Sequence, residues 1–65
     1  MIHPIIHLLA GGPLATFQIE GQIGPCSDEL FRLKRAGILW LTMPPPGSVV
    51  RRWAVVNDET PAWAR

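Results

Sequence analysis

Cysteine occurs once in this chain, at Cys26, so no internal disulfide can form, and the usage fits a reducing compartment. Charge is sparse as well: 17% of residues are Asp, Glu, Lys or Arg, and the formal net charge is +1. A protein dedicated to coating nucleic acid non-specifically is usually far more basic. No apolar run is long enough to span a bilayer, because residues 2–14 are interrupted by His3, Pro4, His7 and Gly11-Gly12-Pro13. The start also lacks the basic residues of a signal peptide. The expectation is a soluble, cytoplasmic protein with no membrane partner. Internal repeats are absent, and the only biased tract is Pro44-Pro45-Pro46.

Catalytic patterns are missing too. There is no Ser-His-Asp order, phosphate loop or isolated carboxylate pair, and so short a chain has no room for a deep cleft, so no enzyme is expected. His3 and His7 lie four apart, and Cys26 would be a third metal ligand. A structural zinc site wants four ligands, commonly with a close Cys pair, which this chain lacks. No metal or cofactor is expected; the two histidines read as a helix-start residue and a partly buried one. Cys26 would lie at a helix N-terminus, which lowers a thiol pKa, but a nucleophile also needs a nearby base. It reads as a small buried or capping residue.

What is present suits one small domain. Of 65 residues, 48% are apolar, and three Trp and two Phe provide large buried area. His3-Pro4 predicts a helix start, with Pro4 at the first helical position. Ile5, Leu8 and Leu9 then share a face, with Ile2 and Ile6 beside them, until Gly11-Gly12-Pro13 stops the helix. Residues 14–24 are ambiguous. Phe17, Ile19, Gly21 and Ile23 alternate with polar residues as in a strand. Yet Thr16 would serve as an N-cap, Ile19 and Ile23 are four apart, and Gly24-Pro25 would end a helix. A helix is the expectation, with a strand over residues 16–23 as the alternative.

The next stretch is the most informative. Ser27 would cap a helix with Asp28 and Glu29 in its first turn and Lys34 and Arg35 in its last, both complementing the helix dipole. Leu30 and Leu33 would face inward and Phe31 would flank them. Asp28, Arg32 and Arg35 would lie opposite, with an Asp28–Arg32 pair. Gly37 sits where a left-handed residue would end the helix. Residues 38–42 and 49–56 are β-prone, and Met43-Pro44-Pro45-Pro46-Gly47-Ser48 between them would form a stiff tip. Residues 1–57 would form the domain and 58–65 a tail. In that tail Pro61 would stop regular structure and Trp63 would fold back over the core.

Three phrases carry a family resemblance. They are Ile5-Ile6-His7-Leu8-Leu9-Ala10-Gly11-Gly12-Pro13-Leu14, then Leu30-Phe31-Arg32-Leu33-Lys34-Arg35-Ala36-Gly37-Ile38, then Arg51-Arg52-Trp53-Ala54-Val55. With Leu14, Ile19, Ile23 and Gly24 between them, they resemble the winged helix-turn-helix domain of small bacterial transcriptional regulators over residues 4–56. Between Gly24 and Leu30 the family pattern has about one more helical turn, and Glu20 stands where a small residue is usual. The resemblance implies an α+β fold of three short helices and a two-stranded β-hairpin wing. It also implies a regulator that contacts double-stranded DNA, as a homodimer or with a protein partner. The contacts would come from Ser27, Arg32, Lys34, Arg35, Arg51 and Arg52, with Pro44, Pro45, Pro46 and Gly47 as the wing tip. The alternative is a protein-protein adaptor or inhibitor using the Pro-rich wing and exposed Trp40, Trp53 or Trp63 as anchors.

Overall fold

A computed structural model describes residues 3–65. Three helices come first: α1, Pro4–Leu9; α2, Thr16–Ile23; and α3, Ser27–Arg35. They are followed by the strands β1, Leu39–Leu41, and β2, Trp53–Val55, and by a 3-10 turn at Ala62–Ala64. The strands form a two-stranded antiparallel sheet in the register Leu39–Val55, Trp40–Ala54 and Leu41–Trp53. The architecture is α+β. Residues 16–23 are helical, so the strand alternative is set aside.

Local chemistry accounts for most boundaries. Pro4 opens α1, and His3 caps it by accepting the Ile5 N–H on Nδ1 at 3.2 Å. The same ring reaches Glu29 Oε1 on α3 at 3.3 Å through Nε2. A ring protonated on Nε2 does both jobs and ties α1 to α3. Ile2 lies outside the described residues.

At the start of α2, Thr16 is the first helical residue rather than the N-cap, which is Ala15. Gln18 Oε1 accepts the Ala15 N–H at 2.9 Å, the reaching-back half of a capping box. This frees the Thr16 hydroxyl to accept the indole N–H of Trp53 at 2.9 Å. Gly24, at φ 86°, ends α2 in a conformation that only glycine adopts readily.

Helix α3 ends in a Schellman motif. The Gly37 N–H donates to the Lys34 carbonyl and the Ile38 N–H to the Leu33 carbonyl, both at 3.0 Å, with Gly37 at φ 80°.

The core gathers Ile5, Leu9, Ile19, Leu30, Leu33, Leu39 and Trp53, all buried, with Leu8, Leu14, Cys26, Leu41 and Val55 packed around them. Trp53 is only 1% exposed, which overturns its expected role as a surface anchor. Its ring meets Phe31 edge-on, centroids 5.3 Å apart. Its backbone exchanges both hydrogen bonds with Leu14, at 2.7 and 3.1 Å, so Leu14 adds a one-residue bridge to the free edge of β2.

The second strand is shorter than its β-propensity predicts. Val49 is 93% exposed and residues 49–52 lie outside the strand. Opposite them the chain holds Pro44, Pro45 and Pro46, which have no N–H to pair with. The hairpin instead closes at its neck, where the Thr42 N–H donates to the Arg52 carbonyl at 2.9 Å. At the tip the Ser48 N–H donates to the Pro45 carbonyl at 3.0 Å, with Gly47 at φ 81°. That places Pro46 and Gly47 at the central positions of a type II turn.

Pro61 does not stop regular structure; it precedes the 3-10 turn. Trp63 leans edge-on against Trp40, centroids 5.8 Å apart, yet remains 64% exposed. Thr60, buried, anchors this segment through its hydroxyl, which accepts the Asn57 N–H at 2.8 Å.

Candidate nucleic-acid interface

Helix α3 presents two exposed sides around its buried Leu30 and Leu33. Asp28, Arg32 and Arg35 lie opposite the core, while Phe31 and Lys34 turn to one flank; all five are exposed. Arg51 and Arg52 are exposed just ahead of β2. Arg51 Nε donates to the Thr42 carbonyl at 3.2 Å, and the Arg52 N–H donates to the Thr42 hydroxyl at 3.3 Å. Thr42 thereby fixes both arginines at the neck of the proline loop. Pro45, Pro46 and Gly47 are exposed at its tip, and Pro44 is half-buried.

The expected Asp28–Arg32 pair is replaced by Glu29–Arg32. Arg32 Nε donates to the two Glu29 oxygens at 3.0 and 3.1 Å, and its Nη2 contacts Oε1 as well. Glu29 is already drawn toward α1 by His3, so it is the carboxylate within reach. The Arg32 hydrogen bond, ahead of the burial that opposes it, holds the Glu29 carboxyl below its ordinary range. A depressed carboxylate pKa stabilises the fold above the unfolded value, and that support is lost as pH falls through the folded value. Acid therefore releases Arg32. Lys34, Arg35, Arg51 and Arg52 have no carboxylate partner among the described residues.

Ser27 is exposed as the first residue of α3, but the N-cap is Cys26, whose side chain makes no capping bond. The capping oxygen comes from a distance in sequence: Glu20 Oε2 accepts the Cys26 N–H at 3.0 Å. Glu20, on α2, thereby ties that helix to the start of α3. The thiol is not activated. Burial first, and repulsion from Glu20 second, push the Cys26 pKa above its ordinary value. His7 is exposed rather than partly buried, and no group of metal-ligating side chains gathers among the described residues.

Glu20→Ala removes this hydrogen bond and should cost about 1 kcal/mol of stability, read as a lower urea midpoint. It should also speed alkylation of Cys26 by iodoacetamide at neutral pH, because one cause of the raised thiol pKa is gone. An unchanged midpoint and rate would deny Glu20 both roles.

Charge geometry thus brings the predicted cations into two groups, one on α3 and one at the loop neck. The indole hydrogen bond, the Glu20 cap and the Glu29 pairing were not predicted, and all three join residues on different elements or compete with an equally spaced partner. No helix among the described residues is long and apolar enough to cross a membrane. Comparison of the chain with protein-family models, curated proteins and solved structures finds no match.

Proposed function

We propose that this chain is a small winged-helix DNA-binding protein that regulates transcription or a related DNA transaction. The observation that carries the reading is the exposure of Lys34, Arg35, Arg51 and Arg52 without carboxylate partners, on a helix and loop that flank one antiparallel hairpin. Arg35 and Arg32 face the duplex from α3, and Arg52 and Arg51 reach phosphates from the wing. Ser27 lies at the far end of α3 as a neutral hydrogen-bonding contact.

The distribution of charge along α3 shapes the mode of binding. Its first turn carries Asp28 and Glu29, and its last turn carries Arg32, Lys34 and Arg35. Carboxylates at the N-terminal end disfavour close approach to phosphates, so the cations act mainly on the backbone. Such contacts position a protein on DNA and carry little sequence information. Weak discrimination between duplex sequences follows, with a dimer or partner supplying the rest.

A second reading is favoured by the exposure of Phe31 and Trp63: an adaptor that docks a protein through these aromatics and the tip at residues 44–47. Salt separates the two. Four to five phosphate contacts give a slope of log K against log salt between about −3.5 and −4.5. Arg35→Ala and Arg52→Ala should each reduce that slope by about 1 and weaken duplex binding. Duplex affinity unchanged in both variants would remove the DNA reading.

A further inference from the structure

Beside the outward face of α3 lies a cleft of about 290 Å³, lined by Phe31, Lys34, Trp40, Leu41, Arg51 and Trp63. Three aromatic rings line this one small cleft, and two of them, Phe31 and Trp63, are exposed. Trp40 and Trp63 meet at an interplanar angle of 78°, so their indoles form a corner with faces in two directions. Phe31 is held edge-on against the buried Trp53, which fixes its ring in place. Lys34 and Arg51 bring positive charge to the same cleft, and neither has a carboxylate partner among the described residues.

The lining contains donors and π faces but no carboxylate, amide or hydroxyl side chain. A peptide docking there would find no side-chain acceptor for its N–H groups. An unpaired nucleotide needs none, since its base stacks on an aromatic ring and its phosphate takes the cations. Duplex DNA cannot use the cleft this way, because its bases are already stacked on each other.

We propose that this cleft binds a nucleotide of single-stranded nucleic acid, the base stacked in the Trp40–Trp63 corner and the phosphate held by Lys34 and Arg51. The site goes beyond duplex binding: it shares Lys34 and Arg51 with the duplex cations and adds the Trp40–Trp63 corner, which the duplex reading does not use.

The test is fluorescence anisotropy of a labelled oligothymidylate of about eight nucleotides, within the range that one small domain covers. A labelled duplex and a Glu-rich peptide carrying one Phe are titrated in parallel. The oligothymidylate should bind more tightly than the peptide, and binding should weaken with salt. Trp63→Ala, at an exposed position, should weaken oligothymidylate binding at least ~5-fold, the effect of losing one stacked base. Duplex affinity should stay unchanged, and Trp63→Phe should restore most of the loss. Absence of oligothymidylate binding, tighter binding of the peptide, or an equal effect of Trp63→Ala on duplex would each overturn the proposal. Loss of the single-strand site with duplex binding intact leaves the proposed function standing. Loss of duplex binding alone removes that function and leaves this site.

Discussion

Trp53→Ala is expected to unfold most of the protein at 25 °C. The indole is 1% exposed and touches the buried cluster contributed by all three helices and β1. Truncating a buried Trp costs about 3–5 kcal/mol, through lost transfer energy and the cavity left behind. The same substitution orphans the Thr16 hydroxyl, deprives Phe31 of its edge-on partner and loosens the Leu14 bridge. A single core of this size rarely supplies more than about 3–5 kcal/mol in total, so one substitution consumes the margin. Far-UV circular dichroism and urea titration read the outcome directly. Trp53→Phe keeps most of the apolar volume and should remain folded with a lowered urea midpoint. A folded Trp53→Ala variant with an unchanged midpoint would show that the core is organised around something else.

The second large effect falls on binding. Arg35→Glu combined with Arg52→Glu removes one cation from α3 and one from the loop neck, and places an anion at each. Two charge-assisted contacts of at least about 1.5 kcal/mol each correspond to a loss of roughly 100-fold or more in duplex affinity. Both side chains are exposed and free of carboxylate partners among the described residues, so stability should change by no more than about 0.5 kcal/mol. Lost affinity with an intact urea midpoint would separate a binding role from a folding role. Unchanged affinity would mean that these arginines only keep the surface soluble and the loop neck unpaired.

Features set by neighbours in sequence are legible in the sequence itself. His3-Pro4 starts a helix because proline's missing N–H costs nothing there, and Gly37 ends one because its own N–H and that of Ile38 turn back on Lys34 and Leu33. Leu30 and Leu33 face inward because helical periodicity places them together. Helix α2 is ambiguous in the sequence, since Phe17, Ile19 and Ile23 alternate as in a strand while Ile19 and Ile23 also stand four apart as in a helix.

The features that escaped are those decided by long-range contacts. Nothing near Trp53 in the sequence marks it as the central core residue. Its burial follows from Thr16, Leu14 and Phe31 arriving from elsewhere. Val49 and Val50 have strand propensity, but three prolines across the loop deny them a partner. The role of Glu20 depends on the start of α3, six residues on, coming within reach of its carboxylate. For the candidate site, residue identities were readable and their pairing was not. Arg32 had carboxylates at two helical spacings, and His3 on α1 favoured the one at Glu29.

The most direct test of DNA binding is a duplex titration of the isotopically labelled protein, followed residue by residue through its backbone amide NMR signals. The account predicts shifts at Arg32, Lys34, Arg35, Arg51 and Arg52 that diminish steeply as salt rises, with the signals of Ile5, Ile19 and Leu30 unmoved. Unchanged spectra, or shifts that ignore salt and centre on the tip at residues 44–47, would contradict it and give the surface to a protein partner.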